Sequence, residues 1–167
     1  MRALKTTMML AALIAAGSAA ATDDGTEGRD HPRCVSVRAD MEEDFSNVGC
    51  EPPSTACFLG TVRGNHGLRG TTRFDADSGA PGPSTSPGFA SYSGIFEYFT
   101  ERGTIFTRET GVVNNTQGNP ESGAVTAFQK ITGATGDWTG ATGHFFVSGF
   151  SIAQHVVTRV TGEICRP

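Results

Sequence analysis

Lysine is almost absent: beyond Lys5 the chain has only Lys130, and its net charge is −4. A chain with so few cations and no basic run is a poor ligand for nucleic acid or for an anionic membrane surface, because neither polyanion finds the counter-charges it needs. Long apolar runs are also missing. The single one lies near the start, from about Thr7 to Ala16, and is too short for the roughly 20 residues that cross a bilayer. Catalytic signatures are missing as well: there is no G-x-S-x-G, no H-E-x-x-H, and the four histidines (His31, His66, His144, His155) are scattered. No window of helical length keeps an apolar i, i+3, i+4 rhythm without an interrupting glycine.

What is present begins with "MRALKTTMMLAALIAAGSAAATDD". Arg2 and Lys5 precede the apolar run, and Ala19-Ala20-Ala21 offer a small-residue cleavage site, which is the layout of a secretory signal peptide over residues 1–21. Export to a secreted, extracellular or periplasmic destination is therefore expected. The four cysteines, Cys34, Cys50, Cys57 and Cys165, read in that setting as two disulfides, with three pairings open. They lack the C-x-x-C or paired-histidine company of a zinc site, so no metal is expected.

Residues 22–56 read as a flexible acidic segment with one short strand, "CVSVRA". Asp40, Glu42, Glu43 and Asp44 lack the D-x-D-x-D-G spacing of a calcium loop and read as a solvated charge run. From Cys57 to Pro167 the character changes. Short runs rich in Val, Ile, Phe, Tyr and Thr recur between clusters of Gly, Pro, Asn and Ser. "CFLGTVRG", "LRGTTRFDAD", "FASYSGIFEYFT", "GTIFTRETGVV", "SGAVTAFQKI", "GHFFVSGFSI" and "QHVVTRVTGEIC" are the predicted strands. Seven strands, or eight with "CVSVRA", indicate an all-β antiparallel barrel or sandwich. Ser78–Gly88, with three prolines, reads as a surface loop, as does Asn114–Ser122. Asn114-Asn115-Thr116 also matches a glycosylation acceptor.

"ITGATGDWTGATGHFFVSG" carries GATG at Gly133 and again at Gly140, with the only tryptophan, Trp138, between them. A phosphate loop would need a lysine and hydroxyl on a following helix, and a dinucleotide fingerprint needs a different glycine spacing. Neither is here. The stretch reads as strand, tight connection, strand, with Trp138 packed over the turn.

"AVTAFQKITGATGDWTGATGHFFV", with the upstream "ERGTIFTRETG", resembles the late barrel segment of the allene oxide cyclase and dirigent superfamily. The resemblance covers about Gly103 to Val147, departs at Ala134 where a second glycine is usual, and gives the N-terminal cysteine region no counterpart. It implies an antiparallel eight-stranded calycin-like barrel, often a homo-oligomer, with an apolar cavity open at one end. It further implies cyclisation or coupling of a small hydrophobic molecule without a redox cofactor, by holding reactants in one conformation.

Several polar residues are candidates for such a cavity. Glu97 lies between Phe96 and Tyr98, where desolvation would raise its pKa. Glu109 and Arg108 are neighbours on a strand, so one of them faces inward. Arg159 and His155 share a face of the last strand, and Tyr92 and Tyr98 share a face of "ASYSGIFEYF". Glu97, Glu109 and Arg159 are thus the expected catalytic groups, and Tyr92, Tyr98 and His155 the expected ligand contacts. The rival expectations are a lipocalin-like carrier of an apolar molecule, with no chemistry, and a structural barrel filled by its own side chains.

Overall fold

A computed structural model describes residues 33–50, 54–115 and 122–167; the signal-peptide reading of residues 1–21 and Thr116 of the glycosylation match lie outside them. Eight strands follow one another: β1 (Arg33–Phe45), β2 (Ala56–Gly64), β3 (Arg69–Pro81), β4 (Phe89–Thr100), β5 (Gly103–Asn114), β6 (Ser122–Ala134), β7 (Thr142–Ile152) and β8 (His155–Arg166). Each pairs antiparallel with the next, and β8 returns to pair with β1, so the sheet closes into a barrel. Closure leaves no sheet edge with unpaired backbone groups. No helix among the described residues is long and apolar enough to cross a membrane.

Three expectations about extent are corrected. The short strand "CVSVRA" is 13 residues long, and the barrel begins at Arg33 rather than at Cys57. The acidic stretch from Asp40 to Asp44 is not a loop, because its backbone is paired on both sides, to β2 and to β8. Part of the proline-rich insert is strand as well: Ser78–Pro81 pair with Ser93–Ala90 of β4 beyond a bulge at Ala76/Ser78. Pro81 is tolerated because it is the last residue of β3, where a missing N–H costs little.

The two ends of the barrel differ. At one, the turn before Arg69 and the β6–β7 connection fold over the interior, and Leu68, Tyr98, Ile105, Trp138, Phe145 and Ile164 are completely buried. Trp138 sits in a single 3₁₀ turn, Gly136–Trp138, as a plug. Its Nε1 donates to Thr100 Oγ1 at 2.9 Å, and the guanidinium groups of Arg102 and Arg166 lie 4.8 and 4.5 Å from the ring centroid. The first GATG makes this connection possible. Gly136 has φ +60°, and a Cβ there would collide with the carbonyl of Arg102. The expected strand, tight connection and strand are what the chain forms here.

The disulfides are Cys34–Cys165 and Cys50–Cys57. The first joins β1 to β8, the seam where the first and last strands meet, across a separation of 131 residues. The second closes a stretch of 7. Because a cross-link restrains the unfolded chain more as its loop lengthens, Cys34→Ser/Cys165→Ser is expected to lose about 2–5 kcal/mol in guanidinium unfolding. Cys50→Ser/Cys57→Ser is expected to lose less. Equal losses would mean that the seam gains nothing from its long-range link.

Candidate ligand cavity

The other half of the barrel is hollow. A cavity of about 230 Å³ opens toward the end bearing the β1–β2, β3–β4, β5–β6 and β7–β8 connections. The inward-facing residues explain the difference. Ala56, Ala76 and Ser151 line the open half with small side chains, whereas Phe96, Tyr98 and Phe145 fill the closed half. At the interior packing density of ~0.74 the space admits on the order of ten non-hydrogen atoms. Phe58, Phe74 and Tyr92 form an aromatic wall on three successive strands, and the Phe74 and Tyr92 rings meet edge to face at 5.5 Å between centroids.

Two carboxyl groups face this apolar space: Glu43 from β1 and Glu109 from β5. Glycines across the ladder give each site its room. Gly60 is paired with Glu43, whose Cγ would stand 2.6 Å from a Cβ at that position. Gly111 is paired with Tyr92, whose ring occupies the place of the missing side chain.

The two carboxyls are held differently. Glu43 accepts one hydrogen bond, from Thr72 Oγ1 at 3.1 Å. Burial, reinforced by the charge of Glu109, pushes its pKa from 4.5 up to about 8, so at neutral pH it is largely a neutral acid. Burial also raises Glu109, but two donors oppose the shift by favouring its carboxylate: Gln129 Nε2 and the Tyr92 hydroxyl. Tyr98 fixes the direction of that arrangement. Its hydroxyl donates to Gln129 Oε1 at 2.6 Å, leaving the amide nitrogen to point at Glu109. Both tyrosines are held above their ordinary pKa by burial first and then by the Glu109 charge, so they remain donors. The result is two carboxyl groups in one pocket, both raised by burial, Glu43 with a single donor and Glu109 with two that favour its carboxylate, a difference on which acid and base roles can be divided.

Of the residues expected in the cavity, Glu109 and Tyr92 line it, and Tyr98 lies within the barrel, supporting Glu109 through Gln129. The other three do not face the interior. Glu97 is on the outer surface of β4, buried there beside Arg73 with Arg73 Nη2 at 2.8 Å. Its neighbours Phe96 and Tyr98 take the inward positions, and the alternation leaves Glu97 none. Arg159 is also outside, 3.4 Å from Asp40, and His155 is outside with Nδ1 2.8 Å from Asp44 Oδ1. Their strand turns Val156, Thr158 and Val160 inward.

Glu43 was missed. The signal for it was present: Val35, Val37, Ala39 and Met41 alternate through "CVSVRADMEE", and two residues further on the same face is Glu43. Reading the acidic residues as a solvated run cut the strand before that step.

Among the described residues, the two clusters of potential metal ligands, Cys34–Glu163–Cys165 and Cys50–Cys57–Asp75, are built on disulfide sulfurs, which are not thiolate donors. No protein-family model matches the chain, and no curated protein matches it at a significant level.

Proposed function

We propose that this protein is an exported barrel that takes a small, largely apolar molecule into its open end and rearranges it by proton transfer, as a cofactor-free cyclase or isomerase. The observation that carries this reading is the Glu43–Glu109 pair, two differently tuned carboxyls facing one apolar cavity. Glu43 donates a proton or hydrogen bond to an oxygen of the bound molecule. Glu109, oriented by Gln129 and Tyr92, accepts a proton or stabilises positive charge that develops against the aromatic wall. The rigid walls contribute by restricting the molecule to one reactive conformation. The likeness of Gly103–Val147 to allene oxide cyclases and dirigent proteins supports the same class of reaction. The signal-type leader and two disulfides support export.

The test begins with native mass spectrometry of the protein from its own source, to identify a small molecule released on activation. When that molecule is returned to the protein, Glu109→Gln is expected to lower turnover at least 100-fold, within the ~10²–10⁴ that a general acid or base supplies, with affinity little changed. Glu97→Gln, on the outer surface, is expected to leave turnover intact. Binding without turnover in the unaltered protein would make the barrel a carrier. An empty barrel that also fails to bind 2-naphthol would leave it a structural role.

A further inference from the structure

The interior has an imbalance that the acid–base reading does not use. Glu43 is 6 % exposed and Glu109 4 % exposed, yet no Lys, Arg or His is among the described residues lining the cavity. Buried carboxyls ordinarily have a cation or a full set of donors. Glu109 has two donors, while Glu43 has only the Thr72 hydroxyl. A third group has the same deficit. Thr158, 4 % exposed and on the cavity wall, has an Oγ1 with no hydrogen-bond partner. Three residues with oxygen acceptors thus line one space together with Phe58, Phe74 and Tyr92.

We propose that the molecule this cavity selects is a small apolar amine, its ammonium donating to Glu43, Glu109 and Thr158 Oγ1 and its hydrocarbon body packed on the aromatic wall. This rests only on the cavity being a binding site and names the class of ligand; with an amine bound, Glu43 is an acceptor and does not take the proton-donor role it has in the reaction proposed above. An alkylammonium has three donors and no acceptor, which matches three acceptors. Aromatic faces add attraction for the cation, most when it is desolvated. A carboxylate ligand would meet two acidic groups and no counter-charge, and is excluded. A neutral alcohol can pair with one of the three groups and leaves the others unsatisfied.

The pH dependence follows from the groups that face Glu43: Glu109 from β5, Tyr92 and, deeper, Tyr98 from β4, with no cationic side chain among the described lining residues. Pairing with an ammonium requires Glu43 to ionise, so binding near pH 7 expels a proton. Affinity therefore rises with pH through the titration of Glu43 near 8, and falls only when the amine itself deprotonates near pH 10.

The experiment compares three near-isosteric probes, 2-phenylethylamine, 2-phenylethanol and phenylacetate, by calorimetry on the mature chain with disulfides intact. At pH 8 the amine is expected to bind at least ten-fold tighter than the alcohol, and phenylacetate not at all. Between pH 6 and 8 amine affinity should rise, with proton release seen as a dependence of the heat on buffer ionisation enthalpy. Glu43→Gln and Thr158→Val should each reduce the amine-to-alcohol ratio, the first toward unity, while Glu97→Gln keeps it. If the alcohol matches the amine, or amine affinity is flat from pH 6 to 8, the amine assignment is wrong and the cavity reading stands. If neither these probes nor 2-naphthol binds, both fall.

Discussion

Glu43→Gln will make the protein more stable at pH 7, by about 3 kcal/mol, and will flatten its pH–stability profile. The figure comes from the gap between pH 7 and the ordinary carboxyl value of 4.5, about 2.5 units at 1.36 kcal/mol each, over a range in which the folded protein retains the proton. The folded pKa is raised to about 8, so the folded state binds the proton more tightly than the unfolded chain does. The stability from that proton is fully present below about pH 4.5 and is lost progressively as pH rises to about 8. Glutamine keeps an acceptor for Thr72 and has nothing to titrate. The variant and the unaltered protein should therefore differ by less than about 1 kcal/mol at pH 5, and widely at pH 8. Glu109, raised in the same direction, leaves some slope in the variant. Urea melts across pH 5–9 measure this directly, and parallel profiles for the two proteins would show that Glu43 is not held as a neutral acid. A gain in stability on removing a cavity carboxyl is also what a residue retained for function at a cost to the fold should show.

Trp138→Ala is expected to cost about 3–5 kcal/mol, the range for deleting a buried aromatic side chain. The residue is fully buried at the closed end, so its removal leaves a void there that the paired strands around it cannot collapse to fill. The substitution also removes the hydrogen bond to Thr100 and the ring between Arg102 and Arg166. Trp138→Phe should be milder, about 1–2 kcal/mol, since it keeps an aromatic ring and loses chiefly the N–H donor. Guanidinium unfolding of the two variants separates packing from hydrogen bonding. A loss below 1 kcal/mol for the alanine variant would mean that the plug does not brace the barrel.

Much of the fold was legible because strand chemistry is local. "FASYSGIFEYFT" corresponds residue for residue to β4, and the other barrel strands begin within one or two residues of where β-branched and aromatic residues give way to Gly, Pro or Asn. The errors came where composition pulled against pairing. "DMEEDF" is acidic enough to suggest a solvated loop, yet β2 and β8 hold its backbone on both sides, and a strand closed in on two sides accepts charged side chains on its outer face. Ser78–Pro81 look like loop for the same reason, but a partner in β4 supplies the ladder.

The sequence by itself determined that this chain is all-β, which residues alternate along each strand, and that the GATG connection turns a corner rather than cradling a phosphate. Each follows from dihedral preferences and a period of two, which need no knowledge of distant residues. The tertiary structure alone decided which face is inside. In β4 both faces are apolar, so the choice of Tyr92, Phe96 and Tyr98 over Ile95, Glu97 and Phe99 rests on closure of the ring. Closure also selected Cys34–Cys165 by making the first and last strands neighbours, and it brought Glu43 of β1 and Glu109 of β5 to one cavity. A side chain's environment in a barrel is set by what stands across the interior, and those neighbours are remote along the chain.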